Sequence, residues 1–81
     1  MKIKVLFFAQ LREAFRASER LLDVPEGATV GGLVQRLFEK PELVRLKALA
    51  ILYSVNEEVR AEASVLHDQD TLALLPPVGG G

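Results

Sequence analysis

One stretch of this sequence has the period of a helix, and nearly everything around it has the period of strands. Val30, Leu33, Val34, Leu37 and Phe38 fall at i, i+3, i+4, i+7 and i+8, which draws one continuous apolar stripe along a helix. Thr29 stands where an N-cap is required. A helix with one apolar stripe must lay it on something, and the flanking segments offer a sheet.

Those segments read as follows. In Lys2–Phe8 the residues Ile3, Val5 and Phe7 give one fully apolar face. The opposite face changes from Lys2 and Lys4 to Leu6 and Phe8, so its far end is either covered by the chain or offered to a partner. Ala9–Phe15 suits a short helix, with Leu11 and Phe15 one turn apart, and Glu19–Val24 suits a second strand stopped by Pro25-Glu26-Gly27. Pairing of these two strands as a hairpin is the economical arrangement. After the main helix, Pro41–Leu49 is a further helical segment carrying Leu43, Leu46 and Leu49, with Pro41 in its first turn. Ile51–Val55 is a third strand, Asn56-Glu57 a turn, Val59 the start of a short return strand, Ala63–Asp70 a loop and Thr71–Leu75 the last strand. A hairpin packed by one main helix, with later strands completing a mixed sheet, is a small α+β roll of the ubiquitin-like type.

At 81 residues the chain supports a single core. With no cysteine and one histidine, it has no atoms for disulfides, thiolate metal sites, cysteine nucleophiles or a multi-histidine metal centre. A net charge of -1 does not suit a protein held on nucleic acid by phosphate contacts. No apolar run approaches the roughly 18 residues of a membrane span, and Met1–Phe8 leads straight into Gln10, Arg12 and Glu13 without a signal peptide's pattern. A cytoplasmic protein is the expectation.

Several chemistry-bearing groups have plainer readings. Gly31-Gly32 lies in the first turn of the helix without a strand-to-loop phosphate fingerprint, so close backbone approach explains it better. His67-Asp68-Gln69-Asp70 reads as a solvated turn before a strand, not a metal site. Ser18, Ser54 and Ser64 lack a nucleophile-elbow motif to go with His67. Arg12, Arg16 and Arg20 recur at four-residue spacing and would form a basic stripe if that stretch stayed helical. Tyr53 and Phe38 belong to the core.

The remaining feature is the segment after Leu75: Pro76-Pro77-Val78-Gly79-Gly80-Gly81. It divides the chain into a domain over 1–75 and an extended tail over 76–81. Two prolines favour an extended stub, and the glycines that follow have minimal bulk. Fully extended, the six residues reach roughly 20 Å, enough to pass through a narrow tunnel. A terminal glycine leaves its carbonyl unhindered, which suits a carboxylate activated as an acyl-adenylate. Glycines alone are also what an unstructured tail carries, but the prolines joined directly to a strand favour the working tail.

Two stretches carry a resemblance over the whole length. Val5-Leu6-Phe7-Phe8-Ala9-Gln10-Leu11-Arg12-Glu13 and Leu75-Pro76-Pro77-Val78-Gly79-Gly80-Gly81 are similar to the family of molybdopterin synthase small subunits, and Val55-Asn56 and Asp68-Gln69-Asp70-Thr71-Leu72 are similar too. The resemblance implies a ubiquitin-like β-grasp fold and a sulfur carrier without activity of its own. It further implies ATP used by a ubiquitin-activating-type adenylating enzyme, a sulfurtransferase system, and a large synthase subunit in a heterotetramer. No cofactor is held permanently. Sulfur passes to cyclic pyranopterin monophosphate. Carried over by residue, Gly81 bears the adenylate and then the thiocarboxylate, and Gly80 is the second tail position. Gly79 stands where relatives often have another small residue. Phe8, Val59 and Leu75 match apolar contacts with the large subunit, and Pro76, Pro77 and Val78 lead the tail into it. The rival readings are a carrier for thiamine synthesis or tRNA thiolation, and an interaction domain with no chemistry.

Overall fold

The computed structural model describes residues 1–77. Its elements are β1 (Lys2–Phe7), α1 (Gln10–Phe15), β2 (Glu19–Asp23), α2 (Val30–Leu37), α3 (Pro41–Val44), a 3-10 turn (Arg45–Ala48), β3 (Leu52–Val55), β4 (Glu58–Val59) and β5 (Thr71–Leu75). The strands form one five-stranded sheet in the order β2-β1-β5-β3-β4. β1 and β5 run parallel at its centre and the other pairs are antiparallel, so the sheet is mixed. This is the expected roll.

Alternation along the central strands builds the core. Ile3, Val5 and Phe7 of β1 and Leu72 and Leu74 of β5 are at most 1% exposed. They join Val30, Leu33, Val34 and Phe38 from α2 and its C-cap in a single buried cluster. Phe15 stacks on Phe7 with ring centroids 4.4 Å apart and meets Phe38 edge-on at 5.3 Å. α1 thereby closes the end of the core where β1 finishes.

The main helix starts as its sequence dictates. The Thr29 hydroxyl accepts from the Gly32 N–H at 3.1 Å. Gly31 is the close approach: its N–H donates to the Glu62 carbonyl at 2.8 Å, and a Cβ there would sit 3.0 Å from the Glu62 Cβ. Val30 N–H to Ser64 O and Leu66 N–H to Ala28 O fasten the same loop, and Leu66 is buried beneath it. The segment 62–66 is thus a strap laid on the start of α2.

One expectation is sharpened and one is not met. The helical segment expected over Pro41–Leu49 is one α-helical turn followed by a 3-10 turn that ends at Ala48. Leu43, Leu46 and Leu49 are three apart, which is the period of the 3-10 helix. The arginine stripe does not form. α1 ends at Phe15, Arg16 takes a left-handed conformation with φ 54, and Arg20 lies in β2. Arg20 instead donates to the Phe15 carbonyl at 2.8 Å with its guanidinium over the Phe7 and Phe15 rings.

Candidate functional site: the uncovered face of the sheet

The residues between the core positions project from the other side of the sheet, and among the described residues no helix covers them. Register lines them up. Glu19, Leu6, Ala73, Ser54 and Val59 form one row across all five strands. Toward the end where β5 finishes, Leu75 pairs with Leu52, and Phe8 follows β1 alongside them. Toward the other end, Lys4 lies between Leu21 and Thr71, and Lys2 opposite Asp23. The face is therefore divided: apolar where the chain leaves the sheet, and, apart from the exposed Leu21, charged or polar where β5 begins.

The apolar half is accessible to a partner. Phe8 is 39% exposed, Leu52 57% and Val59 66%, while Leu6, Ala73 and Leu75 are half-buried. Leu6, Phe8, Ala73 and Leu75 line an open cleft of about 520 Å³, with Asn56, Glu57 and Thr71 at its polar end. Contiguous exposed apolar surface of this kind marks an interaction site. Among the residues singled out from the sequence, Phe8 and Leu75 share this cleft, and Val59 flanks it beyond Ser54 on the same face. Leu52 belongs with them, although the sequence reading did not name it. Its parity with Ser54 in a strand was the available signal, but only the pairing with Leu75 places it beside the others.

The tail starts at this end. Pro76 follows the last residue of β5 and has no N–H for the ladder, so strand pairing stops there. Pro76 is half-buried and Pro77 exposed. The remaining tail positions named from the sequence, Val78, Gly79, Gly80 and Gly81, lie outside the described residues.

The polar candidates serve the fold. Asp70 accepts from the Asn56 side-chain amide at 2.9 Å and from the His67 backbone N–H at 2.8 Å. The Asn56 side-chain oxygen accepts from Thr71 N–H at 3.0 Å, which locks the β3–β4 turn to the start of β5. Asp68 accepts from the Lys2 backbone N–H at 2.7 Å; this bond, then the Gln69 side chain, holds its carboxyl below the ordinary carboxylate range. Burial, and then the charge of Glu62, raises the Tyr53 hydroxyl. Among the described residues, no three metal-ligating side chains gather, and no helix is long and apolar enough to cross a membrane.

Comparison with known proteins is consistent over the full length. The model of the ThiS family matches residues 5–81. The chain is 33% identical to the molybdopterin synthase sulfur carrier subunit of Arabidopsis thaliana, covering all of this chain and 84% of that one. It is 34% identical to the protein of the same name from Mycobacterium tuberculosis, covering all of this chain and 99% of that one. The crystal structure of SAMP1 from Haloferax volcanii superposes with a TM-score of 0.84 at 27% identity, covering both chains completely.

Proposed function

The chain belongs to the ThiS family, and from that premise we propose that it carries sulfur on the carboxylate of Gly81 for the synthesis of molybdopterin. One observation carries this reading. The apolar half of the uncovered face lies at the end of the sheet from which Pro76-Pro77 departs. A partner seated on Phe8, Leu52, Val59 and Leu75 receives the tail directly beside its own surface. Six extended residues then carry the terminus roughly 20 Å into that partner.

The chemistry follows from what a carboxylate lacks. Its charge repels nucleophiles and its oxygen leaves poorly. An adenylating enzyme joins it to the α-phosphate of ATP with release of pyrophosphate, which makes the Gly81 carbonyl electrophilic. The persulfide of a sulfurtransferase displaces AMP to give an acyl disulfide, and a second thiol then closes a disulfide with the donor cysteine and releases the thiocarboxylate. The large synthase subunit takes in that tail and supplies the catalytic side chains. There the thiocarboxylate sulfur forms a C–S bond in place of a C–O bond of cyclic pyranopterin monophosphate. Water then cleaves the resulting thioester, which leaves the sulfur on the pterin and restores the Gly81 carboxylate. A tunnel that orients the terminus gives the proximity such a transfer needs. Two rounds furnish the two sulfurs of the dithiolene. The absence of cysteine suits the role, because no internal thiol competes for the activated carbonyl.

Two measurements test this. Protein from its own host, actively making cofactor, is expected to show by intact mass the exchange of one oxygen for sulfur at the C-terminus. The thiocarboxylated form, mixed with the large subunit, is expected to convert cyclic pyranopterin monophosphate, and removal of Gly81 to abolish that conversion with the fold intact. Conversion by the truncated chain defeats the terminal-glycine mechanism. Failure with the large subunit but success in thiamine synthesis or tRNA thiolation moves the carrier to another pathway. The likeness to SAMP1, a small archaeal modifier protein, favours one second reading, in which the activated terminus is joined to another protein. Conjugates linked through Gly81 are its signature.

A further inference from the structure

The two-residue turn between β3 and β4 carries a residue type at its second position that such a hairpin does not favour. Asn56 and Glu57 both have positive φ, 50° and 71°. Two-residue hairpin turns of that conformation favour asparagine followed by glycine. Asparagine tolerates the left-handed region; glutamate, with a Cβ and a long side chain, does not do so without cost. The other non-glycine residues with positive φ are Ala9, Arg16 and Gln69, at helix ends or in the loop before β5. Asn56 and Glu57 are the two of these that line the apolar cleft, and Glu57 is the one whose residue type is strained by the conformation.

The surroundings hold it there. The Asn56 N–H donates to the Thr71 carbonyl at 2.9 Å, and its side chain is spent on Asp70 and Thr71. The turn therefore cannot relax by swinging away from β5. The neighbouring Glu58 is engaged with Arg60 at 2.7 Å. Among the described residues, the Glu57 carboxylate has no ion-pair or hydrogen-bond partner. Lys4 projects from the same face beyond Thr71 and is not paired with it. The backbone that carries the unpaired Glu57 carboxylate is thus held at the boundary between the apolar and polar halves of the docking face.

We infer that Glu57 is a specificity-determining contact, and that the partner seated on the apolar half places a lysine or arginine against it. This rests on the docking reading above and adds to it. Apolar contacts fix which face is covered, whereas one charge at the rim fixes the register and steers the encounter. The strain is tolerated because glycine, which would relieve it, has no carboxylate to offer.

The test is association of the full chain with the large synthase subunit, at low and at high salt, for Glu57→Gln, Glu57→Lys, Glu57→Gly and Phe8→Asp. Glu57→Gln is expected to slow association several-fold at low salt and little at high salt, and Glu57→Lys to slow it more. Glu57→Gly should bind as poorly as Glu57→Gln while melting no lower than the wild type. If Phe8→Asp abolishes binding but both Glu57→Gln and Glu57→Lys associate like the wild type at low salt, the docking reading stands and the role of Glu57 is wrong. If Phe8→Asp also binds like the wild type, the docking reading itself fails. A lower melting temperature for Glu57→Gly overturns the strain argument by making Glu57 a structural residue.

Discussion

The two sides of this sheet come from one alternation and have opposite fates. On the helix side, Phe7 is 1% exposed and stacked on Phe15; one residue later, Phe8 is 39% exposed and lines an open cleft. The same contrast separates Leu74, fully buried, from Leu75, half-buried on the uncovered face. Hydrophobicity thus does not distinguish core from interface in this chain. Parity does, together with the presence of a helix over one side only. The apolar area on the uncovered side stays open to solvent in the isolated chain, as the docking reading requires.

Paired substitutions break or uphold that contrast most directly. Phe7→Ala removes a ring stacked on Phe15 within the buried core, and is expected to cost about 3–5 kcal/mol. That is much of the roughly 4–12 kcal/mol available to a chain of this size. Phe8→Ala is expected to cost under about 1 kcal/mol in stability and to weaken binding of the large subunit by tenfold or more, about 1.4 kcal/mol. Urea denaturation and binding measurements on both variants decide it. Equal stability losses at the two positions erase the distinction between the faces.

The covered side depends on the strap as well as on the helix, and Gly31 tests this with a change of sign. In an exposed helix, glycine to alanine is worth about 1 kcal/mol in favour of alanine. Here the new Cβ meets the Glu62 Cβ at 3.0 Å and the Glu62 carbonyl oxygen at 3.2 Å, both on or next to backbone. Gly31→Ala is therefore expected to destabilise by about 1–3 kcal/mol. Gly32→Ala serves as its control, since its nearest neighbour is the Thr29 hydroxyl at 3.3 Å. A more stable Gly31→Ala protein means that the strap is loose.

Much of this was legible in the sequence, and the parts that were not share a cause. Period gave α2 and its Thr29 cap, and alternation gave both faces of β1, including the apolar end at Leu6 and Phe8. What period cannot supply is register. Nothing local says that Leu52 lies beside Leu75, because they are joined only by the pairing of β3 with β5. Three-residue spacing at Leu43, Leu46 and Leu49 marks a helical segment without saying where α-helix gives way to 3-10, and four-residue spacing at Arg12, Arg16 and Arg20 spans a helix end that no proline marks. The strain at Glu57 was likewise hidden, since Asn56-Glu57 identifies a turn without giving its φ.

The smallest expected effect belongs to the polar half of the uncovered face and sharpens its contrast with the apolar half. Asp23 is held below the ordinary carboxylate value of 3.8, first by the hydrogen bond from Lys2 at 2.7 Å and then by the Lys2 charge. Asp68 is held below it chiefly by the backbone N–H of the same residue. Both folded-state values are depressed, so the stability they contribute is present above the unfolded value near 3.8 and is lost as the pH falls through the lower folded values. Both groups are solvent-exposed, so the loss is small and confined to acid. The two differ in salt response. The Lys2–Asp23 pair is screened by added salt, whereas the backbone bond to Asp68 does not depend on a free cation. Asp23→Asn should therefore flatten the acid limb of the urea midpoint at low salt and do little at high salt. Asp68→Asn should flatten it in both, because the unfolded-to-folded shift of that group is removed with its charge. Equal salt sensitivity in the two variants would mean that Lys2 acts on both through its ammonium and not through its backbone.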